Sequence, residues 1–129
     1  MNKRVTGIGG IFFKAKDPQA LGKWYADHLG VDTTEEGDTA VFRWRYRDNP
    51  EHKGATVWSA FAQDSDYFGS DAEFMVNYRV EDLDAVIAAL RSEGVQIEGD
   101  IVDNKHGRFA WIRDPEGRRV ELWQGPEDY

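Results

Sequence analysis

Two stretches of this chain follow one plan, and that duplication limits the fold more than any other feature. The first runs from "IGGIFFKAKD" into "DPQALGKWYADHLGV". Ile11, Phe13 and Ala15 alternate with Phe12, Lys14 and Lys16, a period of two that predicts a strand. Asp17 is a suitable N-cap and Pro18 a suitable first helical residue. Leu21, Trp24, Tyr25, His28 and Leu29 then recur at helical spacing, and Gly30 can end the helix. The second stretch repeats the order. "EFMVNYRVED" reads as a strand and Asp82 caps a helix with Leu83, Val86, Ile87 and Leu90 on one face, ended by Gly94. Asp17 and Asp82 stand 65 residues apart.

Each helix is followed by further strands. "TAVFRWRY" and "ATVWSAFA" flank the polar turn "RDNPEHKG", and "GRFAWIRD" and "RRVELWQ" flank the turn "DPEG". The expected fold is therefore α+β, two copies of one β-α-β-β-β unit within a single domain spanning residues 1–129. Module one covers about residues 7–63 and module two about 72–124. "QDSDYFGSDAE" links them.

Composition narrows the function. The net charge is −8, so phosphate backbones are repelled and nucleic acid is not an expected partner. No apolar run is long enough to span a membrane, and the basic N-terminus lacks the apolar segment of a signal peptide. Cysteine is absent, which excludes disulfides and thiolate chemistry and fits a cytoplasmic location. Aromatics make up 13% of the chain, with five Trp, more than a core of this size requires. Pocket-lining aromatics and a small organic ligand are expected.

"KDPQALGKWYADHLGV", "YRVEDLDAVIAAL" and "FAWIRDPEGRRVELWQ" carry a resemblance to the vicinal oxygen chelate superfamily. That superfamily includes glyoxalase I, extradiol dioxygenases, and fosfomycin and bleomycin resistance proteins. The resemblance covers residues 7–124. It implies paired modules forming a cup-shaped mixed sheet with helices on its outer face, usually in a homodimer. It does not imply a reaction, because one fold hosts many chemistries.

Metal-dependent members place four ligands in the cup, two on first strands and two on last strands. On this chain the first-strand positions fall on Gly10 and Met75. The last-strand position of module one falls near Trp58 or Ser59, and that of module two on Glu121. Three of the four lack imidazole or carboxylate, so no cofactor is expected. A divalent metal held by ligands outside this pattern stays open. His28, on the apolar face of its helix, is expected to be packed, and His52 and His106 to be solvated in polar turns, with the alternative that His106 reaches the cup mouth from its loop.

Glu121 sits between Val120 and Leu122 in a strand, and burying an unpaired charge there is costly. Alternation places Arg119, Glu121 and Trp123 on one face. Phe109 and Trp111 follow the same rule, as do Met75 and Asn77, while Val76, Tyr78 and Val80 turn to the helices. The expected ligand-binding wall is Phe12, Met75, Asn77, Phe109, Trp111, Glu121 and Trp123, with Gly10 leaving open space. Glu121 then has two readings. It contacts a cationic or hydrogen-bonding ligand or acts as a general base, or it forms a structural ion pair with Arg119, Arg108 or Arg43.

Two further features leave alternatives open. In "VFRWRY", either Phe42, Trp44 and Tyr46 or Arg43 and Arg45 line the cup, and an arginine pair would suit an anion. Tyr67 and Phe68 form a lid or plug the module junction. Three functions compete: a metal-independent small-molecule binder, a lyase or isomerase using Glu121, and a structural dimer with an empty cup. The cup forms either within one chain or across two.

Overall fold

A computed structural model describes residues 4–69, 72–127 and 129. Strand β1 (Val5–Ala15) leads into helix α1 (Pro18–Leu29), then β2 (Thr39–Tyr46) and β3 (Asn49–Ala62). Strand β4 (Phe74–Val80) opens the second module, followed by α2 (Leu83–Ser92), β5 (Ile97–Asn104), β6 (Gly107–Arg113) and β7 (Arg119–Gln124). Both helices start as the sequence predicts. Asp17 accepts a hydrogen bond from the Ala20 amide and Asp82 from the Ala85 amide, each at 3.1 Å. Gly30 ends α1 at φ +67°, and Gly94 follows α2 at φ +81°.

The described strands form one seven-stranded mixed sheet in the order β2-β3-β1-β4-β7-β6-β5, not closed into a barrel. Its middle shows the duplication directly. β1 and β4 run antiparallel with Ile11 opposite Val76, residues 65 positions apart. β1 pairs with β3 in parallel, and β4 with β7 in the same way. A local two-fold relation thus makes Phe12 the counterpart of Asn77 and Ser59 the counterpart of Glu121. Two full modules would bring eight strands. In module one the first strand after the helix shrinks to a single bridge between Thr33 and Ala40.

The outer face of module two is closed by α2. Leu83, Val86 and Ile87 pack on Val80, Ala110 and Leu122, with Tyr78 beside them. Each fully buried aliphatic side chain of this kind contributes roughly 1.5–3 kcal/mol. Helix α1 seats differently from the expected apolar stripe. Gly22 is its buried residue, and Tyr25 meets Trp58 edge-on at 5.0 Å. Trp24 and Leu29 stay exposed, and His28 lies exposed beside the Trp24 ring rather than packed. The close approach at Gly22 rotates the helix so that these side chains miss the sheet. No helix among the described residues is long and apolar enough to cross a membrane.

Candidate functional site

The concave face of the sheet holds a cavity of about 360 Å³. Module one lines it with Gly9, Phe12, Thr39, Val41, Val57, Ser59 and Phe61. Module two adds Asn77, His106, Phe109, Glu121 and Trp123, with Tyr67 and Tyr129 completing the wall. Both modules of the chain thus contribute to the cup wall. Of the seven residues the sequence assigns to it, Phe12, Asn77, Phe109, Glu121 and Trp123 line the cavity.

Met75 and Trp111 do not line it. Met75 is sealed under Phe12 and Phe68 at the module junction. Trp111 lies opposite Glu121 across the strands but packs edge-on against Tyr67. The reason is the inter-module segment. Phe68 is fully buried and fills the junction as a plug, closing that end of the cup. Gly10 leaves no open space either, because a Cβ there would meet the Phe12 ring at 2.7 Å. A bulge between Ile8 and Gly10 gives the close approach to Gly9 instead. A Cβ on Gly9 would meet Asn77 Oδ1 at 2.2 Å and Trp123 at 2.9 Å.

Glu121 is fully buried. Its carboxylate has neutral partners: the Tyr67 hydroxyl donates to Oε1, and Asn77 Nδ2 donates to Oε2 at 3.0 Å. Asn77 is also its neighbour in strand register. The ion-pair reading is not what the structure shows. Arg119 is committed to Glu98 at 2.8 Å, Arg108 to Asp84 at 2.6 Å, and Arg43 lies over the Tyr129 ring. Burial pushes the Glu121 carboxyl above the usual carboxylate range, and the bonds from Tyr67 and Asn77 pull it part of the way back. The Trp111 indole also favours the charged form, although its N–H completes no hydrogen bond. Burial, followed by the adjoining Glu121 charge, raises the Tyr67 hydroxyl well above its ordinary value.

Aromatic pairs flank this acid. Phe109 and Trp123 stack at 6.1 Å, and Phe61 and Tyr67 at 5.4 Å. Asn77 Oδ1 is buried without a partner, packed against Gly9. Such a wall can hold a flat apolar body and hydrogen-bond one polar edge.

The four positions that metal-dependent relatives use carry Gly10, Met75, Ser59 and Glu121. One carboxylate beside a hydroxyl supplies too few hard ligands for a divalent ion. Among the described residues no three His, Cys, Asp or Glu side chains gather as a metal-holding group.

Sequence reasoning missed the part played by Tyr67, whose loop position gave no sign of its partner. It also missed Thr39, Val41, Val57 and Phe61, which alternation along β2 and β3 places on one face with Ser59. Neither set of "VFRWRY" lines the cup: alternation carries Arg43 and Arg45 onto the face beyond Thr39 and Val41, and Arg43, Trp44 and Arg45 together line an adjoining cavity.

The solved structures most similar in shape include methylmalonyl-CoA epimerase from Mycobacterium tuberculosis (21% identity, TM-score 0.65, covering 99% of this chain and 93% of that one). A Streptomyces coelicolor methylmalonyl-CoA epimerase variant in complex with 2-nitronate-propionyl-CoA is also similar (20% identity, TM-score 0.70, 94% and 98% covered). So is a chain described as NAD-dependent benzaldehyde dehydrogenase from Legionella pneumophila (13% identity, TM-score 0.61, 91% and 98% covered). At these identities the likeness establishes the fold alone. No curated protein matches the sequence significantly. The family profile matches residues 7–122, and the chain belongs to the Glyoxalase/Bleomycin resistance protein/Dioxygenase superfamily.

Proposed function

We propose that the chain binds a small organic molecule in the cup without a metal, using Glu121 as its polar anchor. One observation carries this reading. A fully buried carboxylate stands in the wall of a 360 Å³ cavity, with a tyrosine and an asparagine for partners instead of a cation. A structural ion pair would have filled that place with arginine. The stacked rings on either side suit a planar ligand.

A second reading has one observation in its favour. A carboxyl raised by burial, next to a tyrosine hydroxyl, is arranged to take up and return a proton. The likeness to epimerases makes an isomerase of this kind the alternative, with Glu121 as base. We further propose that the chain pairs as a homodimer. Ile8, Ile11 and Phe74 on the central strands are exposed, an apolar strip that a second copy can cover. Sedimentation velocity checks this.

The test of the cup is a thermal-shift screen of small aromatic compounds on the wild type and on Val57→Trp, which fills the cavity away from Glu121. Ligands of the cup raise the melting temperature of the wild type and leave Val57→Trp unmoved. Equal shifts in both proteins would sink the assignment. Transfer of solvent deuterium into a bound ligand, abolished by Glu121→Gln, would establish the isomerase instead.

A further inference from the structure

A second cavity of about 630 Å³ adjoins the cup at Tyr129, which lines both. Among the described residues that line it, the charged side chains are Arg43, Arg45, Lys53 and Lys105. This is unexpected in a chain with 24 acidic and 16 basic residues. Some exposed cations are paired with acids, as Arg4 is with Glu93 and Arg108 with Asp84, while Lys16, Arg47 and Arg91 have no ion pair among the described residues. Arg43, Arg45, Lys53 and Lys105 likewise take part in none of the ion pairs among the described residues.

The arrangement also works against local stability. Arg45 lies directly opposite Lys53 in the β2–β3 register, and like charges across a strand pair repel. Arg45 and Arg43, its neighbour on the same face, are held in place. Arg45 donates to the Pro50 carbonyl at 3.0 Å, and Arg43 sits over the Tyr129 ring at 5.4 Å. Alternation along the hairpin makes the cavity walls continuous. Thr39 and Val41 line the cup, and Arg43 and Arg45 extend the same face toward solvent. One surface thus runs from an apolar, stacked-ring interior to a concentrated positive mouth.

We propose that this mouth is an anion subsite, and that the molecule entering the cup carries a polyanionic tail of phosphates or carboxylates seated on Arg43, Arg45, Lys53 and Lys105. The tail proposal rests on the cup reading above; the anion subsite does not.

Calorimetric titration at low ionic strength, where surface charge is least screened, tests it on the whole chain. The probes are sodium tripolyphosphate and citrate. The proteins are the wild type, Arg43→Ser/Lys105→Ser, and Lys23→Ser/Arg91→Ser, which removes the same charge elsewhere. At least one polyanion binds the wild type, weakens about tenfold in the Arg43/Lys105 variant and changes little in the control. Tripolyphosphate alone points to a phosphate tail and citrate alone to a carboxylate tail. Binding of neither, or equal weakening in both variants, overturns the subsite. Comparing 1-naphthyl phosphate with 1-naphthol tests the tail. The phosphate binds the wild type more tightly, and that advantage disappears in the Arg43/Lys105 variant; an unchanged advantage overturns continuity with the cup. Binding of the polyanions by Val57→Trp, in which the cup is filled, separates a failed cup from a failed subsite.

Discussion

The Tyr67 hydroxyl donates to Oε1 of Glu121, joining the segment between the modules to the last strand of the sheet. The bond places a polar lock where the two modules meet. Phe68, next in sequence, anchors the same segment by full burial against Phe12 and Met75. One residue secures the segment by packing, and its neighbour uses that rigidity to aim a donor at a buried charge. The donor limits the cost of an acid that strand alternation points into the cup.

Tyr67→Phe keeps the stacked contact with Phe61 and removes the donor. A lost hydrogen bond to a buried ionised group costs about 1.5–3 kcal/mol. Urea denaturation is expected to show a loss of that size at pH above the raised titration of Glu121, and a smaller one below it, where Glu121 is neutral. No loss at either pH would mean that Glu121 Oε1 takes an equivalent donor from solvent in place of the lost hydroxyl.

Glu121→Gln is expected to gain stability relative to the wild type as pH rises. Burial raises the carboxyl of Glu121 in the folded chain above its unfolded value. The protonated form is therefore the one the fold favours. Its contribution is complete below the ordinary carboxylate range and is lost as pH climbs through the raised value. Glutamine has no such transition, and Asn77, whose Oδ1 lacks a partner, can turn its amide to accept from it. Unfolding midpoints of both proteins across the acid-to-neutral range provide the measurement. Parallel curves would show that Glu121 carries no buried-charge cost.

The sequence was legible where a residue's role follows from its neighbours along the chain. Asp17 and Asp82 cap helices through amides three residues on, and alternation correctly sent Glu121, Trp123, Phe109 and Asn77 inward. It failed where position depends on distant backbone. Nothing near Leu21 or Trp24 signals that Gly22 must meet Gly37, so the buried face of α1 was misplaced. Nothing near Met75 or Trp111 signals that Phe68 seals that end of the cup. The bulge at Gly9 shifted the cup-lining glycine by one residue and made it a close contact with Asn77 and Trp123, which period-two reasoning alone cannot foresee. Tyr67 was recognised as a loop aromatic, yet its partner lies 54 residues away.

Gly22→Ala tests the misplaced helix. Alanine inside a helix normally gains about 1 kcal/mol over glycine. Here its Cβ would fall 1.6 Å from the Gly37 carbonyl oxygen, so the segment entering β2 must move. The expected result is a net loss of about 1–3 kcal/mol in chemical denaturation. A gain would show that α1 and the Gly37 turn separate readily. Because Asp38 accepts from the Ala60 amide and Thr39 lines the cup, the variant is also expected to weaken any cup ligand.

Metal addition separates the two halves of the family's chemistry. Specific binding at a hundredfold excess over Kd stabilises a fold by about 2.7 kcal/mol, on the order of 10 °C for a domain of this size. Gly10, Met75 and Ser59 provide no imidazole or carboxylate, and Glu121 already spends both oxygens on Tyr67 and Asn77. Chelation, or addition of Mg, Mn, Ni, Zn or Fe(II), is therefore expected to leave the melting temperature within about 1 °C of its starting value. Metal content measured on the same preparation should fall well below one ion per chain. A stoichiometric ion that disappears with Glu121→Ala, taking stability with it, would mean that the cup rearranges around a metal. Glu121 would then act as a ligand, and the metal-free binding mode would fall.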